Sequence, residues 1–150
     1  MSRDYDRVLG ELRLMLEGET DAVAMMATIV CELHHAFEHL SWTGFYRVTS
    51  PGRLTVGPYQ GAHGCLHIDF ERGVCGAAAR TKTTQLVPDV HQFEGHIACS
   101  SSTQSELVIP ICKDGAVVAV LDLDSDEPAA FTRDDVAALE PFCDWLGQRL

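Results

Sequence analysis

The chain has 150 residues, of which 46% are hydrophobic and 22% are charged, and its formal net charge is −11. This length and composition predict one globular domain, residues 1–150, with a core of its own rather than a disordered chain. The negative charge would repel phosphate backbones and anionic lipids, so we expect neither nucleic acid nor a membrane surface as a partner.

Hydrophobic periodicity predicts two helices and a hairpin in the first part of the chain. Gly18 fits the end of the first helix, and Thr20 or Asp21 can cap the second. Ser50-Pro51-Gly52 is typical of a turn between two strands. The predicted elements are helices at 3–17 and about 20–40, and strands at 42–48 and 53–59.

The rest of the chain starts with a stretch, residues 60–73, that has no clear pattern. The elements predicted after it are a helix at 74–81, strands at 85–87, 104–112 and 116–124, and a helix that begins at Thr132. Thr132 and Asp135 form a capping-box pattern, whereas Pro141 should kink this last helix. Hairpins with helices at both chain ends predict an α+β fold, with helices packed against an antiparallel sheet.

The turn between the last two long strands decides which side chains share a sheet face. A regular ladder from the two-residue loop Asp114-Gly115 would place Glu106 on the apolar face. A three-residue loop that adds Lys113 pairs Glu106 with Asp122 and leaves one face entirely apolar. Because a one-residue slip moves every side chain to the opposite face, we predict the three-residue loop. The apolar face then comprises Leu107, Ile109, Ile111, Val117, Ala119, Leu121 and Leu123.

Three acids gather at the far end of the opposite face of this hairpin: Glu106, Asp122 and Asp124. Like charges that face each other across a sheet are destabilising, so the arrangement requires an explanation. One reading places the strand ends in water, where the acids are solvated. The other is a pocket that binds a cation, or keeps one carboxyl protonated for proton transfer. The pattern leaves both open, and three carboxylates alone are a weak metal signature.

The six cysteines occur in different sequence contexts. The N-terminal segment Met-Ser-Arg-Asp-Tyr-Asp lacks the apolar run of a secretory leader, so we expect a cytoplasmic protein whose thiols stay reduced. Cys31 and Cys143 fall on the apolar sides of helices, and Cys112 closes a strand beside a turn. All three positions are typical of packing residues.

Cys65, Cys75 and Cys99 are the better candidates for chemistry. Cys65 lies in the unpatterned stretch, Cys75 at a helix N-terminus and Cys99 at the end of a polar loop. A helix N-terminus favours the thiolate of Cys75, and His91 or His96 would do the same for Cys99 if either folds back. The same cysteines and nearby histidines supply zinc-ligand atoms, but their spacing matches no paired Cys-x2–4-Cys motif, so we predict no metal.

Several segments carry a family resemblance. They are Trp42-Thr43-Gly44-Phe45-Tyr46, Gly57-Pro58-Tyr59-Gln60-Gly61 with Cys65, Arg72-Gly73-Val74-Cys75-Gly76, Val87-Pro88-Asp89-Val90-His91, Gly95-His96-Ile97-Ala98-Cys99, Ser105-Glu106 and Val120-Leu121-Asp122-Leu123-Asp124-Ser125. Together they resemble the free methionine-(R)-sulfoxide reductases, a family built on a GAF-type domain. The resemblance covers nearly the whole chain.

The resemblance implies an enzyme that reduces free methionine-(R)-sulfoxide with a cysteine thiolate and needs no cofactor. Cys99 would be the nucleophile and would become a sulfenic acid, which a second thiol converts to a disulfide. Cys75 is the first candidate for that second thiol and Cys65 is the other. Thioredoxin would return the enzyme to its reduced state.

The remaining site residues follow from the same resemblance. Glu106, Asp122 and Asp124 would bind the substrate's ammonium group and assist proton transfer, and Trp42 and Tyr46 would line the site for the S-methyl group. Peptide-bound methionine sulfoxide has no such ammonium, so the acids would select the free amino acid. The amphipathic terminal helices leave room for a homodimer. The alternative function is a non-catalytic GAF sensory module that binds a small ligand and carries redox-sensing cysteines.

Overall fold

The structure, a computed structural model, describes residues 3–150. Met1 and Ser2, part of the predicted leader-free N-terminus and of the predicted 1–150 domain, lie outside that range. The helices are α1 (Tyr5–Met15), α2 (Ala22–Ala36), α3 (Gly73–Thr81) and α4 (Arg133–Gly147). The strands are β1 (Trp42–Ser50), β2 (Arg53–Gln60), β3 (His67–Asp69), β4 (Gln85–Val87), β5 (Ser105–Lys113) and β6 (Ala116–Ser125). Among residues 3–150, no helix combines the length and apolar content needed to cross a membrane.

The six strands form one antiparallel sheet in the order β3-β2-β1-β6-β5-β4. The predicted α+β fold, with an antiparallel sheet flanked by the N- and C-terminal helices, is confirmed. The side chain of Asp21 caps α2 by accepting a hydrogen bond from the Ala24 backbone N–H at 2.8 Å. α2 ends at Ala36, earlier than predicted, because Phe37 adopts an extended backbone.

One short strand was not predicted, and the last helix is a single element with the predicted cap. The unpatterned stretch contains β3, whose three residues are too few to show a period, although its central residue Ile68 is buried. α4 continues through Pro141 as one helix. Its N-terminus is fixed by Asp135, which accepts a hydrogen bond from the Thr132 backbone N–H at 2.7 Å and pairs with Arg3.

The sheet separates two hydrophobic cores. α1, α2 and α4 cover one side, called here the helix face, where Phe45, Leu107 and Leu121 are completely buried. α3 and its neighbouring loops cover the other side, called the cavity face, where Tyr46 and Val108 are buried. Each fully buried large apolar side chain contributes about 1.5–3 kcal/mol to folding. Most of these side chains lie on the helix face, so that face provides most of the apolar stabilisation.

The β5–β6 turn corrects the predicted loop. Lys113 pairs with Ala116, so the loop has two residues, Asp114-Gly115, rather than the predicted three. Both have positive φ, 52° and 80°, as a type I′ turn requires. Such a turn matches the right-handed twist of the strands, which favours it over the longer loop.

A β-bulge at Val118 keeps the acids on the cavity face. Val118 is one extra residue in β6 that stands opposite no single residue of β5. Beyond the bulge Glu106 pairs with Asp124, and not with Asp122 as predicted. The bulge also exchanges the faces of two valines, since Val117 packs in the cavity-face core and Val118 against the helix-face core. The predicted apolar face is otherwise retained.

Candidate active site

A cavity lies between the cavity face, the N-terminus of α3 and the loop that follows Gln92. It encloses about 510 Å³ of empty space, part of it open to solvent. Its lining includes most of the site residues predicted from the sequence: Trp42, Tyr46, Cys75, Cys99, Glu106, Asp122 and Asp124. The remaining one, Cys65, is joined to this lining by a disulfide to Cys99. The fold therefore gathers all the predicted site residues around one space.

The three acids are withdrawn from water rather than solvated. Glu106 is 6% exposed and Asp122 is 4% exposed, while Asp124 is partly buried beside them. Burial first, and then repulsion between the neighbouring carboxylates, raises the pKa of each well above the usual range of a carboxyl. The reading in which these acids point into water is therefore wrong. The raised pKa values suit a cluster that holds a proton.

The acid cluster also has unused hydrogen-bonding capacity. Asp122 Oδ1 and Asp124 Oδ1 are buried and have no hydrogen-bond partner among residues 3–150. A buried polar atom without a partner has lost its hydrogen bonds to water and has gained none in the protein. This loss destabilises the folded state. Both side chains line the cavity, so a ligand that donates hydrogen bonds could satisfy them. A cationic donor would in addition relieve the repulsion between the carboxylates.

An aromatic wall stands beside the acids. The ring of Trp42 stacks on Tyr46 and on Tyr59, with centroid distances of 5.7 Å and 5.2 Å. Its Nε1–H donates to the carbonyl of Ala62 at 2.7 Å, which fixes the indole. Gly44 makes the close approach possible, because a Cβ there would collide with the ring of Trp42 and with Tyr59. Sequence reasoning missed Tyr59, although a glycine inside an apolar strand was a signal of such an approach.

The thiols are arranged differently from the prediction. Cys65 and Cys99 form a disulfide with a Cα–Cα distance of 5.5 Å, so this pair is not reduced as expected. Cys75, the first candidate for the partner of Cys99, is instead a free and buried thiol. Burial and the nearby Asp122 raise the pKa of Cys75, the opposite of the lowering expected from a helix N-terminus. Burial, together with the neighbouring carboxylates, therefore sets the direction of the Cys75 pKa shift.

The other cysteines lie away from the cavity. Cys143 is completely buried in the helix-face core, as predicted for a packing residue. Cys112 and Cys31 are only partly buried. The Cys31 sulfur lies 3.8 Å from Nδ1 of His35, one helical turn further along α2. The same nitrogen lies 2.7 Å from the Cys31 backbone carbonyl, and the pair lies outside the cavity.

His96 belongs to the site in a place the sequence did not indicate. Its Nε2 lies 3.7 Å from Oε1 of Glu106, and its ring lines the cavity. Burial lowers the pKa of His96, which favours the neutral imidazole. The loop that carries it is attached to α3, since the Gly73 N–H donates to the carbonyl of Gly95 at 3.1 Å. The loop that leads to Cys99 thus also places an imidazole beside the buried acids.

Comparison with known proteins agrees with this geometry. Residues 5–150 match the GAF domain family. Protein YtsP of Bacillus subtilis is 40% identical over 149 residues, which cover 99% of this chain and 91% of that protein. The free methionine-R-sulfoxide reductase of Saccharomyces cerevisiae is 38% identical over 146 residues, which cover 90% of this chain and 81% of the yeast protein.

A solved structure gives the same result. The free methionine-R-sulfoxide reductase of Neisseria meningitidis, in complex with its substrate, superposes with a TM-score of 0.93 at 40% identity. The alignment covers 97% of this chain and 87% of the Neisseria chain. The fold and the cysteine-bearing cavity therefore define a GAF-domain protein. Within that class the chain belongs to the free methionine-R-sulfoxide reductase family, which confirms the resemblance drawn from the sequence.

Proposed function

We propose that this protein reduces free methionine-(R)-sulfoxide to methionine, with Cys99 as the nucleophile. The observation that carries the proposal is a buried carboxyl cluster with unpartnered oxygens in the same cavity as Cys99. The names of the yeast and Neisseria relatives point to the same substrate.

The reaction needs a nucleophile and an acid. The Cys99 thiolate attacks the sulfoxide sulfur, and a carboxylic acid of the cluster protonates the oxygen, which is a poor leaving group as naked oxide. The protonated oxygen then moves as hydroxyl from the substrate sulfur to Sγ of Cys99, while the bond between the two sulfurs breaks and leaves its electron pair on the methionine sulfur. Cys99 is thereby oxidised to a sulfenic acid, and methionine leaves with its sulfur reduced. Burial raises the pKa of Glu106, Asp122 and Asp124, which favours the protonated form of a carboxyl that can donate this proton.

The same cluster explains the choice of a free amino acid. The substrate's ammonium would donate to the unpartnered oxygens of Asp122 and Asp124 and compensate their burial. A methionine sulfoxide within a peptide has an amide in place of that ammonium, so the buried carboxylates would stay uncompensated. The edges of the Trp42 and Tyr46 rings would contact the S-methyl group, since sulfur packs favourably at aromatic edges.

Cys65 is the thiol we propose for the second step. Condensation of its thiol with the Cys99 sulfenic acid releases water and gives the disulfide that joins these residues in the structure. A dithiol reductant, for which we propose thioredoxin in the cytoplasm, would then exchange with this disulfide and regenerate both thiols. Part of the Cys65–Cys99 pair is solvent-accessible, as such an exchange requires.

The decisive experiment offers the protein four compounds with thioredoxin, thioredoxin reductase and NADPH as the recycling system. They are free methionine-(R)-sulfoxide, the free S epimer, an N-acetylated R form and a peptide that contains the R form. We expect turnover of the free R form alone, followed as NADPH oxidation and as methionine released. Tight binding of the free R form without any turnover would instead support the sensory module, and equal turnover of the acetylated form would overturn the role of the acids.

A further inference from the structure

One thiol and two carboxylates in the cavity are spaced as ligands of one metal ion. The Cys75 sulfur and one carboxylate oxygen each of Glu106 and Asp122 lie within 4.8 Å of one another, and all three side chains are buried. Around a tetrahedral zinc ion with bonds of about 2.0–2.3 Å, ligand atoms lie roughly 3.3–3.8 Å apart. Modest inward movements would therefore bring the three atoms to bonding distance. This set shares Cys75 with the cysteines and histidines whose spacing argued against zinc in the sequence, but its other two ligands are carboxylates.

A second observation points to a cationic ligand at this place. Asp122 Oδ1 is buried and has no hydrogen-bond partner within residues 3–150, and its side chain lines the cavity. The cavity gives an ion from solvent access to this oxygen, and two positive charges would offset the repulsion between the buried carboxylates. His96 Nε2 lies 3.7 Å from Glu106 Oε1 but does not belong to the set of mutually close ligand atoms.

The donor types indicate which metal fits. Mg²⁺ and Ca²⁺ take oxygen ligands and need six or more of them, whereas a sulfur and two oxygens, with water in the fourth position, form a set that suits four-coordinate zinc. Cys75 is free in the structure while Cys65 and Cys99 are joined, so its sulfur remains available in the disulfide form of the protein.

We propose that Cys75, Glu106 and Asp122 bind Zn²⁺, with water as the fourth ligand, and that bound zinc excludes the amino acid from the cavity. The metal site is inferred from the positions of these side chains and does not depend on the proposed function. Only the competition rests on the proposed function, because it assumes that the substrate's ammonium occupies the same carboxylates. Zinc at this site is an inhibitor and not a cofactor, since it takes up the groups that the reaction uses.

Cobalt titration of the disulfide form tests the site directly. Co²⁺ replaces Zn²⁺ in tetrahedral sites, and a thiolate ligand adds a charge-transfer band in the near ultraviolet. We expect one Co²⁺ per chain with that band, and loss of the Co²⁺ signals when Zn²⁺ is added. The band should disappear in Cys75→Ser and remain in Cys31→Ser, which removes the thiol next to His35. A band that survives in Cys75→Ser would overturn the proposal, as would binding without any thiolate band.

A second variant covers the case in which Cys75→Ser fails to fold. Glu106→Gln leaves all the thiols in place and should weaken Co²⁺ binding to the disulfide form at least tenfold. Unchanged affinity in Glu106→Gln would overturn the ligand set.

Methionine tests the competition without any turnover. We expect saturating methionine to weaken zinc binding at least tenfold, and unchanged zinc affinity would overturn the exclusion. If the protein binds zinc with the thiolate signature but reduces no sulfoxide, the proposed function fails and the metal site stands. If it reduces the sulfoxide but binds no metal, the metal site fails and the proposed function stands.

Discussion

The helix face and the cavity face are built from alternate residues of the same two strands, yet they treat polar groups in opposite ways. On the helix face Leu107 and Leu121 are completely buried among other apolar side chains. One residue away on the cavity face, Glu106 and Asp122 are nearly as buried, with carboxyl pKa values raised by that burial. Apolar burial stabilises the fold, whereas burial of carboxylates costs free energy. We therefore expect substitutions on the helix face to change stability and those on the cavity face to change activity.

Cys99→Ser should have the largest effect and alter activity alone. A serine hydroxyl is a far weaker nucleophile than a thiolate, so kcat/KM for free methionine-(R)-sulfoxide should fall by on the order of a thousandfold or more. Thermal unfolding in the presence of reductant should stay close to that of the wild type. Cys112→Ser, a substitution outside the cavity, is the control and should retain activity. Full activity in Cys99→Ser would exclude this residue as the nucleophile.

Glu106→Gln should separate activity from stability on the cavity face. Loss of a proton donor and of an ammonium partner should lower kcat/KM about a hundredfold. The midpoint of thermal unfolding should not fall, because the substitution removes one of several mutually repelling buried carboxyls. The exposed Glu94→Gln, on the cavity-side loop, serves as a control for loss of one negative charge. Unaltered kinetics in Glu106→Gln would contradict the role of the acid cluster.

Leu121→Ala should show the reverse pattern on the helix face. Truncation of a completely buried leucine leaves a cavity and should lower the free energy of unfolding by about 2–5 kcal/mol. Activity measured well below the melting temperature should remain within a few fold of wild type. Chemical denaturation supplies the free energy, and Val23→Ala at an exposed position should change it little. A stable but inactive Leu121→Ala protein would refute the division between the two faces.

The pH dependence of stability should have opposite signs in the two regions. The carboxyls of the cavity face titrate at a pH of about 4 when unfolded and at higher pH when folded, so the folded protein binds more protons. Stability from this cluster should therefore decline as pH rises above about 4. On the helix side, burial and then the charge of Arg3 lower the pKa of His39 from 6.5 to about 4. Stability from His39 should decline as pH falls from 6.5 toward 4.

Melting temperatures measured across this pH range in single variants resolve the two contributions. In His39→Gln the melting temperature should fall less as the pH is lowered. In Glu106→Gln it should fall less as the pH is raised. Each variant should leave the other limb unchanged, because the two groups lie on opposite sides of the sheet. If His39→Gln changed only the limb above neutral pH, the assignment of the acid limb to His39 would be wrong.

Gly115→Ala should have the smallest effect and should touch neither face. Its φ of 80° places the residue in the left-handed region, where a Cβ costs about 1 kcal/mol. A Cβ at this position meets no other atom within 4 Å, so backbone strain is the only expected penalty. We expect a loss of about 1 kcal/mol in denaturation and unchanged kinetics. A large loss of activity would show that the turn controls the register of the acids.

Periodic patterns in the sequence predicted most of the fold. They failed where neighbouring residues were equally suited to the same position in a strand. Alternation along β5 and β6 assigned the acids to one face correctly, because Leu107, Leu121 and Leu123 mark the opposite face as apolar. The bulge escaped prediction since Val117 and Val118 have identical side chains, and either could be the extra residue. β3 has three residues, fewer than two periods of alternation.

The parts of the site that depend on loops could not be predicted from patterns. Hairpin register can place the acids together, but their burial depends on α3 and on the loop after Gln92 that cover them. The choice of Cys65 over Cys75 as the partner of Cys99 depends on the course of two irregular segments. His96 meets Glu106 for the same reason. Periodicity carries no information about where such segments cross.

The bulge at Val118 gives the hairpin an unequal tolerance for changes in chain length. If one residue were deleted from β6 near the turn, the strand could lose the bulge and become a regular ladder. Glu106 would still pair with Asp124, and the acids would still face the cavity. An inserted residue could not be accommodated in this way. It would require a second bulge, or it would shift the strand register and turn the acids toward the apolar core. We therefore expect relatives with altered lengths here to carry deletions more often than insertions.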